Sequence, residues 1–313
     1  MGRGRARPSR RRASPVRRGE PPLRRGSSYA ALVPSDRDVC HMDLLAVRAG
    51  GTETRSDPVA VEEPLEIRAE GPGQEATSIA VTMRTPGHDA ELAVGFLFTE
   101  GLVRSRDDLG RPPTRELPVE GGANNTVTVR LVSTFDAERL KRNFYATSSC
   151  GICGKASLEH LHALAPPLAP RRQGGVRLAG SLILRLPALL RAAQSAFEQT
   201  GGLHATGVFD RDGRLLVVRE DVGRHNAMDK AIGHLLLHRE VPLADRVLML
   251  SGRVSFELVQ KAAMAGAPVL CAVSAPSSLA VQAADRLGIT VVGFVRGTGF
   301  NVYTHPDRID AHA

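Results

Sequence analysis

The 313-residue sequence contains no tryptophan, and aromatic residues of all kinds make up only 4% of the chain. Four scattered cysteines are too few for the disulfide framework of a secreted protein. No run of about 18 apolar residues could span a membrane, and no apolar signal-peptide core follows the N-terminal arginines. We therefore expect a globular protein with a largely aliphatic core, and the cytoplasm is its default compartment.

Acidic residues are scarce at the N-terminus, and this imbalance accounts for the whole net charge of +8. Residues 1–38 hold eleven Arg against Glu20, Asp36 and Asp38, whereas thirty basic and thirty acidic residues balance in the remainder. Segments rich in Arg, Pro, Gly and Ser bury too little apolar surface to fold. We predict a disordered basic extension over residues 1–57, able to bind polyanions nonspecifically, and we expect a chain that begins at Met42 to fold and act normally.

The remaining sequence divides into two domains at a segment rich in proline and glycine, residues 165–175. Upstream, residues 58–164 contain strand patterns followed by a helical pattern over 89–103, as in a small α+β domain. Downstream, strands and helices alternate over residues 176–307. Such alternation favours parallel strands with crossover helices, which form a three-layer α/β sheet.

The elements expected in the second domain are five strands and four helices. The strands are predicted at 205–210, 214–220, 246–251, 268–274 and 289–295, and the helices at 187–201, 226–238, 255–265 and 277–287.

Two of the four cysteines, Cys150 and Cys153, lie three positions apart in a run of small residues. A second thiol, nearby Lys or Arg, and a helix N-terminus each lower the pKa of a cysteine, and the thiolate is the reactive form. Gly151 and Gly154 give this loop conformational freedom. A mobile thiolate of this kind is suited to passing a chemical group from one partner to another.

Three other interpretations of the pair remain open. It could be half of a zinc site that a second copy of the chain completes, because no other cysteine pair has suitable spacing. It could be a thioredoxin-like redox motif, although such motifs follow the first strand of a βαβ unit. It could also form a structural disulfide. Cys271, by contrast, lies in an apolar run and is expected to be a small buried hydrophobe.

Polar loops follow several strands of the predicted second domain, where open α/β sheets bind ligands. Arg224, Arg253 and Arg296 could each pair with a phosphate group. The starts of the helices at 255 and 277 offer backbone N–H groups to anions. Each loop alone could be an ordinary cap or turn, but their recurrence at one sheet edge favours a phosphorylated ligand. The loops are residues 220–226, 251–253, 274–278 and 296–299.

Eight short motifs between residues 58 and 307 share the pattern of one protein family. They are Glu62-Glu63-Pro64-Leu65, residues 84–89, residues 95–97 with 99–101, residues 150–154, residues 200–204, residues 220–226 with Asp229-Lys230, residues 251–253 and residues 302–306. In these motifs the sequence resembles the FdhD formate dehydrogenase accessory proteins, sulfurtransferases that supply sulfur to the molybdenum cofactor.

The resemblance implies a specific reaction. The chain would accept a persulfide sulfur from a cysteine desulfurase and pass it to the bis(molybdopterin guanine dinucleotide) cofactor, before that cofactor enters formate dehydrogenase. It implies that Cys150 carries the persulfide and that Cys153 assists. It also implies a homodimer.

The resemblance places cofactor binding in the segment after the last strand, where GDP is expected to mimic the nucleotide end of the cofactor. This segment consists of Phe294, Val295, Arg296, Gly297, Thr298 and Gly299. Because they follow another strand at the same sheet edge, Asp221, Arg224 and His225 would line the same cofactor-binding site.

The resemblance further implies that the second domain is similar to the cytidine deaminase fold. The zinc signature of those enzymes, His-x-Glu followed by Pro-Cys-x-x-Cys, is absent from the sequence, so deamination does not carry over and no metal site is predicted. An alternative function is a nucleotide-binding regulator or scaffold that delivers the cofactor without covalent chemistry. The two functions differ in whether Cys150 ever carries sulfur.

Overall fold

The computed structural model of the protein describes Met1 and residues 38–110, 119–121, 125–136 and 176–311. These ranges contain fourteen strands and six α-helices, which we number in chain order. None of the helices in these ranges combines the length and the apolar character needed to cross a bilayer. The predicted cysteine loop and the predicted segment 165–175 lie outside the described residues.

The first two strands form a long hairpin. Strand β1 (Val39–Arg48) pairs antiparallel with β2 (Gly51–Ala60) over its whole length. At the base of the hairpin Val39 is buried against Ala196 and Leu203. The prediction that residues 1–57 form a disordered extension is therefore wrong for residues 39–57. The arginine-rich composition that indicated disorder ends at Arg37, and the aliphatic residues beyond it pair as strands.

A four-stranded sheet and one helix follow the hairpin. The sheet has the order β4-β3-β6-β5, in which β3 and β6 are parallel and the other pairs are antiparallel. Leu65, Ile67 and Ala69 alternate along β3 and are fully buried in the same core as helix α1. The element bounds are β3 Glu63–Glu70, β4 Thr77–Arg84, α1 Asp89–Thr99, β5 Val119–Gly121 and β6 Thr126–Arg130.

The chain resumes with a short strand and two consecutive helices, β7 (Leu178–Ala179), α2 (Gly180–Ala192) and α3 (Ser195–Thr200). Pro187 was predicted to begin a helix but lies inside α2. A proline in a helix removes one backbone hydrogen bond. Here the buried apolar positions of α2, spaced as on one helical face, offset that loss; they are Leu182, Ile183, Leu186 and Leu190.

A six-stranded sheet with the order β13-β12-β11-β10-β8-β9 is the centre of the second unit. Strands β10, β11 and β12 are parallel, as the alternation of elements predicted. Strand β8 is antiparallel to both β10 and β9, so β9 runs in the same direction as β10. The bounds are β8 His204–Phe209, β9 Leu215–Asp221, β10 Val247–Leu250, β11 Val269–Ala272, β12 Thr290–Arg296 and β13 Gly299–Val302.

Helices cover both faces of this sheet in three layers. Leu248, Leu270 and Val291 face one core, and Val247 and Val269 face the core on the side of α2. The chain ends in β14 (Ile309–Asp310), which pairs parallel with β7. The helices of the first face are α4 (Arg224–Leu237), α5 (Phe256–Met264) and α6 (Ser278–Leu287). A more specific likeness to the cytidine deaminase fold stays a prediction.

The two predicted domains meet where α1 crosses α4. The contact is made at Gly95 and Gly233, where a Cβ atom would overlap the backbone of Asp229 and Glu91 respectively. Both helices contribute to one continuous core that extends from β3 to β12. The two units therefore share a core and pack as neighbours, with glycines permitting the close approach.

Candidate functional site at the carboxyl edge of the sheet

A buried ion pair organises the loop after β9. Asp221 and Lys230 are almost completely buried, and Lys230 Nζ lies 2.7 Å from Asp221 Oδ2. Burial lowers the pKa of Lys230, against the opposing effect of the Asp221 carboxylate. The carboxylate also accepts hydrogen bonds from Gly223 N at 2.8 Å, Asn226 Nδ2 at 3.1 Å and Thr85 N at 3.2 Å. Asp221 was predicted to bind the cofactor, and the structure places it in this internal network.

Thr85, in the motif at residues 84–89, forms hydrogen bonds with the loop after β9 and with Lys230. Thr85 Oγ1 accepts a hydrogen bond from Val222 N at 3.1 Å, and Thr85 O accepts one from Lys230 Nζ at 2.8 Å. Arg84 is itself held by a bidentate pair with Asp89, both bonds being 2.9 Å. The first unit therefore fixes the position of the loop from which Arg224 projects.

Arg224 and its neighbours make this edge of the sheet cationic. Burial, followed by repulsion from Arg224, lowers the pKa of His225 to about 4. The pKa of His204 is also lowered, by burial and by repulsion from Arg224 and Arg253. Both imidazoles are thus neutral near pH 7 while the guanidinium groups stay charged. His225 Nε2 is 3.1 Å from Ser255 Oγ, next to the start of α5.

One guanidinium nitrogen at this edge has no partner. Among the described residues, Arg224 Nε is buried and makes no hydrogen bond. A buried polar atom left without a protein partner is accounted for by strain, by a bound water or ion, or by a functional role. The combination of an unpaired donor and concentrated positive charge is suited to binding an anionic group.

The segment from Phe294 to Gly299 comprises the last residues of β12 and the turn into β13, at the same edge of the sheet. Phe294 has a left-handed backbone (φ 54°) and donates its N–H to Ser274 O at 3.2 Å, which joins it to the loop after β11. Arg296 is exposed, with its guanidinium 5.3 Å from the centre of the Phe294 ring. Gly297 also has a positive φ of 60°, which a side chain would strain.

The six residues of this segment differ in what they can contribute to a ligand. The Val295 side chain is fully buried, so only its backbone can contact a ligand. Thr298 and Gly299 are exposed, as are Arg296 and Gly297. The cofactor-binding role predicted for these residues stays a prediction, with Arg296 as the charged group of the segment.

Ser277, which lies in the loop after β11, has the ordinary helix-capping role that the sequence left open. Ser277 caps α6, since its hydroxyl accepts a hydrogen bond from Ala280 N at 3.2 Å. Cys271 is also structural, because complete burial in the sheet raises the pKa of its thiol to about 12. Cys150 and Cys153, the predicted reactive pair, lie outside the described residues.

His204 is a site residue that the sequence did not suggest. It begins strand β8, whereas the ligand-binding residues expected from sequence follow strands. Because β8 is antiparallel to β10, its first residue meets the loop after β10, where Ser251 Oγ accepts a hydrogen bond from Ala205 N at 2.8 Å. Only the antiparallel pairing brings His204 to this edge.

The fold and this edge define a mixed α/β protein with a cationic site at the carboxyl ends of its strands. Comparison with known proteins points to a single family. The model of the FdhD/NarQ family matches residues 60–310. The chain is 48% identical over 280 residues to the sulfur carrier protein FdhD of Streptomyces coelicolor, covering 86% of this chain and 95% of the relative. The chain therefore belongs to the FdhD/NarQ family.

Other relatives agree with this assignment. The sulfur carrier protein FdhD of Mycobacterium tuberculosis is 50% identical over 265 residues, which is 82% of this chain and 93% of that protein. A crystal structure from Desulfotalea psychrophila, of a protein described provisionally as a formate dehydrogenase accessory protein, superposes with a TM-score of 0.67 at 25% identity. The superposition covers 87% of this chain and 100% of the crystallised chain.

Proposed function

We propose that this protein is a sulfur carrier that accepts sulfur on Cys150 from a cysteine desulfurase and transfers it to bis(molybdopterin guanine dinucleotide) for formate dehydrogenase. The observation that carries the proposal is the family match over residues 60–310, a range that includes the Cys150–Cys153 pair. The relatives are named as sulfur carriers, and the crystallised neighbour as a formate dehydrogenase accessory protein.

The loading step requires a thiolate. In the proposed reaction, the Cys150 thiolate attacks the terminal sulfur of the desulfurase persulfide. A new S–S bond forms on Cys150, and the desulfurase cysteine leaves as a thiolate, so no external oxidant is needed.

The discharge step, in which the sulfur leaves Cys150, gives a role to each of the two cysteines. Release of the persulfide sulfur as sulfide requires two electrons. The Cys153 thiolate supplies them by attacking the Cys150 sulfur and forming a disulfide while sulfide leaves toward the cofactor. A thiol reductant then restores both cysteines before the next cycle.

The cofactor is the substrate of this reaction, and the cationic edge suits its phosphates. Within the described residues, Arg224 has a buried Nε without a hydrogen-bond partner. Arg253 is exposed on the loop after β10, and Arg296 is exposed at the carboxyl end of β12. We place the nucleotide end of the cofactor at this edge, with Arg224, His225 and residues 294–299 around it. The role of Asp221 in this proposal is to hold the loop that carries Arg224 in position.

The proposal is tested by mass spectrometry of the intact protein after incubation with a cysteine desulfurase and cysteine. We expect one added sulfur atom on Cys150, removed by a thiol reductant. Cys271→Ala is a matched control because that thiol is buried, and it should load normally. Loading that is undiminished in Cys150→Ala would contradict the assignment. No loading at all in the wild type would favour a scaffold that delivers the cofactor without covalent chemistry.

The two cysteines should also differ in a client assay. Cys150→Ala is expected to abolish activation of formate dehydrogenase, and Cys153→Ala to weaken it while persulfide loading persists. The proposal includes a cytoplasmic homodimer, which light scattering of the purified protein would check.

A further inference from the structure

The hairpin of β1 and β2 is held at its base and exposed toward its tip. At the base, Val39 and Ala60 pack against Ala196 and Leu203. Toward the tip, every residue from Val47 to Ser56 is exposed. The two strands pair over their whole length and rise about 3.3 Å per residue, so the hairpin is a projection roughly 30 Å long.

This projection is a sheet of only two strands. Within the described ranges β1 and β2 pair only with each other, so each strand has one edge without a strand partner. A hairpin on its own is marginally stable in water, and three or more strands are needed for independent stability. The unpaired N–H and C=O groups of an edge are a template for pairing with another chain. The hairpin is therefore suited to pairing with a further strand.

The two edges of the hairpin differ. Strand β2 is protected against pairing by Pro58, which has no N–H, and by alternating charged side chains at Glu53, Arg55 and Asp57. Strand β1 contains no proline. It also carries the two most exposed large apolar side chains of the hairpin, Leu45 at 64% and Val47 at 74% exposure. Strand β1 is therefore the edge open to a partner.

A second copy of this chain fits the β1 edge. Basic and acidic residues balance over residues 39–313, so two folded bodies can approach without net repulsion. Antiparallel pairing of β1 with β1 of the partner puts the two Val39 residues at opposite ends, more than about 30 Å apart. The arginine-rich sequences that precede them therefore begin several Debye lengths of about 8 Å from each other.

We propose that β1 pairs antiparallel with β1 of a second copy across a two-fold axis near Leu45. The product is a four-stranded sheet in the order β2-β1-β1-β2, with Leu45 and Val47 of both copies on one face. A lipid surface fits less well, because the free backbone groups of β1 would stay unpaired in hydrocarbon. The pairing supplies an interface for the homodimer of the proposed function, and it rests on that function only for the number of copies.

Sedimentation velocity of the full chain tests this interface. The wild type should sediment as a dimer. Leu45→Lys combined with Val47→Lys brings like charges from both copies together beside the axis, so this variant should sediment as a monomer at the same concentration. Both side chains are exposed in a single copy, so its circular dichroism should remain that of a folded α/β protein. A dimer that persists in the double variant would overturn the proposal.

Thr52→Lys combined with Thr54→Lys is the matched control. On β2, Thr52 lies directly opposite Val47, and Thr54 lies directly opposite Leu45. The added charge is therefore the same and lies on the same face, but on the strand with the protected edge. This variant should remain a dimer. Dissociation as complete as that of the β1 variant would contradict the choice of β1.

Cysteine substitutions locate the axis. In a Cys40→Ser background, one of Leu44→Cys, Leu45→Cys and Ala46→Cys should form an intermolecular disulfide under mild oxidation, because residues opposed across paired strands have adjacent Cβ atoms. Peptide mass spectrometry would identify the bridge, and Thr54→Cys should form none. Absence of the bridge at all three β1 positions would rule out the pairing.

Three outcomes for the wild type separate this interface from other roles. A monomer that binds phosphatidylserine vesicles, and loses that binding in the β1 double variant, would make the hairpin a lipid-binding arm and overturn the proposal. A monomer that loads sulfur on Cys150 would also overturn it while the sulfur-carrier proposal stands. A dimer that loads no sulfur would defeat the sulfur-carrier proposal and leave the interface standing.

Discussion

At the level of single residues, Asp221 and Arg224 belong to one motif but have different surroundings. Asp221 is enclosed by hydrogen-bond partners, whereas Arg224 Nε is buried without one in the described part of the chain. Both residues follow the strand predicted at 214–220, so strand position alone made them equal candidates for ligand binding. Burial and hydrogen bonding separate a positioning residue from a residue able to bind a ligand.

The Asp221 network should be essential for stability. Asp221→Ala leaves the Lys230 ammonium buried without its carboxylate, which typically costs about 3 to 5 kcal/mol. Urea unfolding should therefore show a large fall in the free energy of unfolding. Asp245→Ala, which removes an exposed partner of Arg246, should change it by less than about 1 kcal/mol. Equal stability of the two variants would show that Lys230 finds another partner.

Arg296 should contribute directly to nucleotide affinity. Loss of one charged hydrogen bond costs about 1.5 to 3 kcal/mol, so Arg296→Ala is expected to weaken GDP binding by roughly tenfold to a hundredfold in calorimetry. Persulfide loading of Cys150 should be unaffected, since the proposed loading step involves no nucleotide.

The control for this variant is Arg286→Ala, at the exposed end of α6 near the opposite edge of the sheet. It should bind GDP like the wild type. Unchanged affinity in Arg296→Ala would place the phosphates elsewhere on the protein, as would protection of a remote surface by GDP in hydrogen exchange.

At the level of elements, strand direction and helix crossing decide which residues meet. Strand β8 brings His204 to the carboxyl edge because it is antiparallel to β10. Helices α1 and α4 bring the first unit against the second through Gly95 and Gly233. The crossing also sets the distance between Thr85 and Asp221, and so the position of the Arg224 loop.

The helix crossing should not tolerate a side chain at its centre. In Gly233→Ala the new methyl group would overlap Glu91 O, so α1 and α4 must separate. We expect the free energy of unfolding to fall by about 3 kcal/mol or more. Gly50→Ala, in the turn between β1 and β2 with open space around it, should change it by less than about 0.5 kcal/mol. Comparable stability of both variants in thermal or urea unfolding would contradict the rigid crossing.

At the level of the whole molecule, the arginine-rich sequence ends at Arg37, directly before the described residues that begin at Asp38. The body begins with β1, whose first residue Val39 is buried at the base of the hairpin. A start at Met42, expected from the sequence to be harmless, removes Val39 and two further residues of β1. The described hairpin therefore begins at Val39, whereas the sequence predicted a first domain that begins at residue 58.

Truncations should locate this boundary. A chain that begins at Asp38 lacks all eleven arginines of residues 1–37. It should keep the melting temperature and sulfur loading of the full chain.

 An unchanged melting temperature would show that none of these eleven arginines supports the fold. A chain that begins at Met42 should melt at a lower temperature, because it lacks the Val39 contact with Ala196 and Leu203. A large loss of loading in the chain that begins at Asp38 would give the extension a functional role.

Much of this architecture could be predicted from local pattern. The alternation of strands and helices after residue 176 predicted a sheet covered on both faces, because burial on both faces requires apolar strands and amphipathic helices. The family motifs likewise predicted the FdhD assignment that the comparisons confirm. Element bounds were less accurate where a proline lay inside a helix, as at Pro187 in α2.

The pairing of distant residues required the three-dimensional structure. Thr85 and Asp221 are 136 positions apart, and no local pattern indicates that a backbone N–H of one meets the carboxylate of the other. The same holds for the antiparallel β8 that brings His204 to the carboxyl edge. Periodicity along a chain records which residues face a core, but it does not record which elements become neighbours. Sequence therefore indicated the kinds of residue at the site, and packing between distant elements decided which of them lie together.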